Sequence, residues 1–166
     1  MVTANLTIES PKIGQTIMFV ATAGDTNGAE LVIEARMRPG AFMPLHRHLH
    51  QDETFEMLSG TGTFTVARER ITAVTGERVH IPAGVAHRFR NRSGGEVTLR
   101  ATMRPALRAE DLFERLFRLG AQGRVNRFGA PDPLTCARLI REFREEFFYL
   151  ARIPVAVQRA LAGARP

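Results

Sequence analysis

The chain has 166 residues, 44% of them apolar, a size that suits one domain with an appendage. Its 23 basic and 17 acidic residues leave a net charge of +6, but the excess is interleaved with acids, as in Glu142-Phe143-Arg144-Glu145-Glu146, which argues against a nucleic-acid partner. Cys136 is the only cysteine, no run of apolar residues is long enough for a membrane helix, and Met1–Asn5 lacks the pattern of a signal peptide, so a cytoplasmic home without membrane contact is expected.

Taken in chain order, Thr16–Thr22 and Leu31–Arg38 are two β-prone runs. Between them lies Gly24-Asp25-Thr26-Asn27-Gly28, where Asn-Gly tolerates the positive φ of a tight turn. In the second run Leu31, Ile33, Ala35 and Met37 share one face, and Val32, Glu34 and Arg36 the other. Further strands are predicted at Thr54–Leu58, Thr61–Ala67, Ile71–Val74, Arg78–Ile81, His87–Asn91 and Val97–Met103, punctuated by glycines. So many short strands at this spacing point to a sandwich or a closed barrel.

Beyond Pro105 the period becomes helical. Leu112, Phe113, Leu116 and Phe117 form one stripe that ends near Gly120, and a polar connection, Gln122–Ala130, follows. Asp132-Pro133 reads as an N-cap with proline at the first helical position. That helix is expected to run to about Leu150, burying Leu134, Ala137, Ile140, Phe143 and Phe147, and Pro154 opens a last short helix through Leu161. The organisation predicted is therefore an all-β domain over residues 1–104 and a helical extension over 105–166, packed on the barrel or on a partner subunit.

The chemistry concentrates between Gly40 and His87. In a strand, residues two apart face the same way, so His46 and His48 point inward together while Arg47 points out. A new strand near Glu53 brings its carboxylate to the same point. Downstream, Pro82-Ala83-Gly84 is a turn, and the strand after it offers His87 as a fourth inward ligand. Three imidazoles and a carboxylate suit one divalent first-row ion, Fe, Mn, Ni, Cu, Co or Zn, and on a six-coordinate ion they leave two positions open. A shifted His48/His50 pair is an alternative; otherwise His50 is a solvated loop residue at the mouth or a proton carrier behind the ligands.

These residues resemble the cupin superfamily. Its first motif, G-x5-H-x-H-x4-E-x6-G, is matched by Gly40, His46, His48, Glu53 and Gly60. Its second, G-x5-P-x-G-x2-H-x3-N, is matched by Gly76, Pro82, Gly84, His87 and Asn91, and the 15 residues Thr61–Thr75 between them are a short spacing typical of microbial single-domain members. The resemblance covers roughly residues 30–104. It implies an antiparallel jelly-roll β-barrel, commonly a homodimer, with metal ligands His46, His48, Glu53 and His87. It does not imply one reaction, since such proteins include dioxygenases, isomerases, lyases and metal-free binding domains.

Among other residues, His80 alternates with Val79 and Ile81 and should face outward, and Glu56 lies opposite Glu53 as a solvated or interface charge. Phe55, Met57, Phe64 and Phe89 should face the cavity beside the metal, as substrate wall or simply as barrel core. Such a pocket is apolar and favours a hydrophobic small molecule. Cys136 reads as a buried, inert thiol. Arg88, Arg90 and Arg92 alternate onto an outer face, solvated or paired with acids of neighbouring strands, with an anion site as the alternative. The function expected is that of an Fe(II)-type dioxygenase acting on a small apolar molecule. A Lewis-acid isomerase or lyase and a non-catalytic binding or regulatory module are the alternatives.

Overall fold

Strand alternation sets the two faces of each sheet, and the observed strands follow it. The computed structural model describes residues 2–163. Strands run over Thr7–Ser10 (β1), Gln15–Ala21 (β2), Leu31–Met37 (β3), Phe42–Arg47 (β4), Asp52–Ser59 (β5), Thr61–Val66 (β6), Glu69–Val74 (β7), Arg78–Ile81 (β8), His87–Arg90 (β9) and Val97–Arg104 (β10). Ala109–Ala121 (α1) and Pro133–Glu142 (α2) are helices, Tyr149–Leu150 is a short strand (β11), and Val155–Gly163 (α3) closes the described chain. In β3 the predicted inner residues Leu31, Ile33, Ala35 and Met37 are all buried.

The strands form two antiparallel sheets, ordered β1-β2-β3-β10-β5-β8 and β11-β4-β9-β6-β7. Their inner faces share one core that includes Phe19, Leu31, Phe55, Phe64, Phe89 and Leu99. The expected closed barrel is corrected to a two-sheeted sandwich, consistent with a jelly roll, because no ladder joins the edge strands of one sheet to the other among the described residues. Side-chain packing rather than backbone closure holds the sheets together. Close approach is needed at Gly62: a Cβ there would lie 2.3 Å from Cε2 of Phe89, so only glycine lets that ring cross β6.

The tail departs from expectation at the second helix. Asp132 caps it as predicted, its carboxylate accepting from the Leu134 and Thr135 amides at 3.0 Å each. It stops at Glu142, however, and does not reach Leu150. Two acids, Glu145 and Glu146, would sit against the negative end of a longer helix. The run Phe147-Phe148-Tyr149-Leu150 instead finds a sheet edge: Tyr149 pairs with Arg47 and Leu150 with His46, adding β11 to β4. α1 lies against β1, with Gly120 so close to Ser10 that a Cβ would meet its hydroxyl at 2.2 Å. The extension thus packs on the sandwich of its own chain. No helix among the described residues is long and apolar enough to cross a membrane.

Candidate metal centre

Two backbone devices converge the four predicted ligands. A bulge in β4 lets Met43 pair with Phe89 and His46 pair with His87, so one extra residue keeps both Met43 and His46 on the inner face. The second motif is then tied to the first. The Gly84 amide donates to the His48 carbonyl at 2.6 Å, and the Ala83 amide donates to Oδ1 of Asp52 at 2.8 Å. Gly84 takes φ of 79°, the left-handed conformation this turn requires. Asn91, the last motif residue, is fully buried and bonds the Met37 and Gly95 carbonyls, which makes it a strut of the fold.

His46, His48, Glu53 and His87 are all buried, and one donor atom from each lies within 4.8 Å of all the others. Nε2 of His46 and His48 are 3.2 Å apart, and Oε2 of Glu53 is 3.5 Å from Nε2 of His48 and 3.0 Å from Nε2 of His87. Donors about 2.0–2.2 Å from a shared ion would sit about 3 Å apart in neighbouring positions and about 4 Å apart in opposite ones, so these spacings fit. Nδ1 of His46 lies 2.7 Å from the Pro44 carbonyl and Nδ1 of His87 lies 3.0 Å from that of Val85. Only an N–H can face a carbonyl, so in the neutral rings both Nε2 lone pairs aim at the centre. The lone pairs of His87 Nε2 and Glu53 Oε2 then confront each other, and both atoms are buried without a well-formed hydrogen bond. A cation between them relieves that repulsion, whether a metal ion or, without one, a proton on His87. The residues present fit a divalent ion.

The electrostatics agree. Burial, with His87 and His48 nearby, pushes the His46 imidazole down to about 3. Burial pushes the Glu53 carboxyl up, but His48 and His87 outweigh it and hold the group well below the usual carboxylate range. Burial lowers His87, while its contact with Glu53 raises it further, for a net rise. In chelator, the unfolded chain therefore binds a proton at His46 from about pH 6.5 downward that the folded chain refuses, and at Glu53 below about pH 4.5. Both contributions are lost as pH falls; His87 acts oppositely, stabilising at low pH and losing that effect as pH rises through its raised value. The thermal midpoint of the chelated protein should therefore fall from about pH 6.5 to pH 4.5, where His46 refuses a proton that the unfolded chain takes up and the His87 contribution no longer changes. A flat profile would contradict this assignment.

A cavity of about 240 Å³ opens beside the cluster, between the sandwich mouth and the helical extension. Its walls come mostly from the tail, with Phe113, Phe117, Phe147 and Phe148 facing Phe42 and Met43 of β4. Phe148 stands edge-on to the rings of His48 and His46, at centroid separations of 5.0 and 5.6 Å. The predicted wall of Phe55, Met57, Phe64 and Phe89 is corrected: these four sit in the sandwich core, each at most 1% exposed, and none lines this cavity. Aromatic inner residues fill the narrow gap between two sheets, so the open space moves outward to where the tail covers the mouth.

His50 is likewise elsewhere, exposed and 2.9 Å from Glu145 on the tail, and it takes no part in the cavity wall. Gln51, overlooked in sequence, is 1% exposed and donates to the carbonyls of Pro105 and Ala106, tying the ligand loop to the root of the extension. A buried glutamine between two ligands carries no periodic signal, so only its contacts reveal it. Glu56 faces out and pairs with Arg78 at 3.2 Å, and His80 is exposed beside Thr54. Cys136 lines the cavity and its thiol is pushed up by burial and then by Asp132.

Comparison with known proteins places this geometry. A cupin domain family model matches residues 33–102, which include all four clustered side chains. Among solved structures, an RmlC-like cupin from Shewanella frigidimarina is similar, at 18% identity and a TM-score of 0.54 over 64% of this chain and 90% of that one. A predicted oxalate decarboxylase from Thermotoga maritima matches at 18% identity and 0.53, over 60% of this chain and 99% of that one. KdgF from Halomonas sp. matches at 15% identity and 0.51, over 55% and 81%. A search of curated proteins found no match. The two motifs and the family match together identify residues 33–102 as a small cupin domain, which a helical C-terminal extension follows.

Proposed function

We propose that this chain is a metal-dependent oxygenase acting on a small, apolar, aromatic molecule held between the sandwich mouth and the helical extension. The observation that carries the reading is the chemistry of the cavity. His46, His48 and Glu53 of the donor cluster line one side of it, and apart from Ser10, Gln15, Gln158 and the Cys136 thiol the remaining side chains of its lining are apolar. Apart from those three donors, Cys136 is the one titratable group among the described lining residues, and its thiol is held protonated. Isomerisation or elimination needs a side chain that takes and returns a proton, so this wall favours chemistry in which the protein moves none.

His46, His48, Glu53 and His87 would hold a redox-active divalent ion, whose chemistry there would be to relay electrons from the bound substrate to dioxygen. The chain's own part is positioning and exclusion of water. Phe148, Phe113 and Phe147 present ring faces and edges to a flat apolar substrate, and the backbone carbonyls of Pro44 and Val85 keep two ligand rings oriented. Oxalate, the substrate named for the Thermotoga maritima structure, is a small dianion and suits these walls poorly.

The test is dioxygen uptake by iron-loaded protein across a panel of small aromatic and aliphatic compounds. Uptake that depends on both substrate and the loaded ion is expected, with aromatic compounds preferred. Equal turnover under strict anaerobiosis would replace the oxygenase with Lewis-acid chemistry.

A further inference from the structure

The outer face of the second sheet carries an arginine cluster that the metal centre does not use. Strand register sets Arg70 of β7, Thr65 of β6 and Arg88 of β9 in one row, and Thr63 of β6, Arg90 of β9 and Phe42 of β4 in the next. Arg92 lies just beyond. Nε of Arg88 donates to Oγ1 of Thr65 at 3.1 Å. Among the described residues, none of the four guanidiniums has a carboxylate within 4.0 Å, so of the expected solvation or pairing with neighbouring acids the pairing is not found. The first sheet behaves differently: Arg38, Arg78, Arg100 and Arg104 each pair with a glutamate, Glu9, Glu56, Glu34 and Glu30. Arg36 aside, the first sheet neutralises its arginines, and the second leaves these four facing one another.

Like charges side by side across strands oppose folding. Their repulsion is visible at Arg92, which Arg70, then desolvation, Arg90 and Arg88 hold below the usual guanidinium value. The four also enclose a cavity of about 300 Å³ whose other wall is apolar. There Phe128, from the connection between α1 and α2, meets Phe42 edge to face with centroids 6.4 Å apart, and the Arg127 guanidinium lies 4.7 Å over the Phe128 ring.

We propose that this face is a second binding site, which contains none of the metal ligands and shares the Phe42–Phe128 wall with the metal-side cavity, for a small phosphate monoester carrying a flat apolar group. Planar guanidiniums bind phosphate oxygens two at a time, and the Thr63 and Thr65 hydroxyls add donors. Phe42 and Phe128 receive the ring. Four positive charges match a dianion better than a carboxylate, and the volume lies at the low end for ligand sites, enough for a phosphate and one ring.

Titration calorimetry on the full-length, metal-loaded protein at fixed low ionic strength tests this, with inorganic phosphate, phenyl phosphate and benzoate as probes. Phenyl phosphate should bind at one site, at least about tenfold more tightly than either other probe. Replacing both Arg88→Gln and Arg90→Gln should weaken it about a hundredfold, since each removes a charge-assisted contact. Phe128→Ala should reduce phenyl phosphate to the affinity of inorganic phosphate, and His87→Ala should leave binding intact. These arginines are exposed and repel one another, so the double variant should keep the wild-type circular dichroism and melt at or above the wild-type temperature. Undiminished binding by that folded double variant overturns the proposal, as does benzoate equalling phenyl phosphate. Loss of binding in His87→Ala would put the phosphate on the metal centre instead. A short single-stranded oligonucleotide that outbinds phenyl phosphate through the same arginines would make the face a polymer site and also overturn it.

Discussion

His87→Ala is expected to lower affinity for a divalent transition ion by at least about a hundredfold, because even a residue one step behind a ligand is worth about 10–100-fold. The variant removes one of four converging donors and leaves three. It should remain folded. His87 is 1% exposed and its ring is a single small side chain at the mouth of the sandwich, so truncation leaves only a small void. Glu53→Gln sharpens the test, since it keeps the shape and deletes the negative charge. Metal content after dialysis against a competing chelator gives the answer, with circular dichroism as the control on folding. Full retention of metal by both folded variants would show that these side chains do not hold the ion.

Phe64→Ala should destabilise the protein by about 3–5 kcal/mol, while Phe148→Ala should cost distinctly less and change substrate handling instead. Phe64 is fully buried, with ring centroids 5.2 Å from Phe55 and 4.9 Å from Phe89, so nothing can move in to fill its space. For a chain of this size the loss corresponds to a drop of about 6–20 °C in melting temperature. Phe148 is only partly buried and borders a cavity already present, so truncation there enlarges open space and creates no new void. The enlarged cavity should accept bulkier apolar compounds. Reversal of the two stability effects would return Phe64 to the cavity wall and Phe148 to the core.

The contrast between Phe64 and Phe148 shows what was legible. Alternation places both Phe64 and His87 on inner faces, and the structure agrees. Alternation cannot say how much of an inner face is filled, because that depends on the distance between sheets and on what covers their mouth. The end of α2 was hidden for a related reason. Helical periodicity continues through Phe143 and Phe147, but the unpaired edge of β4, which exists only once the sandwich has formed, draws Tyr149 and Leu150 into β11.

The amino-acid order by itself determined the ligand set and the strand scaffold that presents it. Two-residue alternation at His46 and His48, the turn at Pro82–Gly84 and the spacing to Glu53 and His87 are local properties, carried by a few bonds of backbone each. Tertiary structure alone decided the rest. It tied Gly84 to His48, set the β4 bulge, left the arginines of one sheet unpaired, and laid Phe148 against the metal ligands. Each of these joins segments far apart in sequence, and their meeting depends on the register and separation of packed sheets, which no single segment encodes.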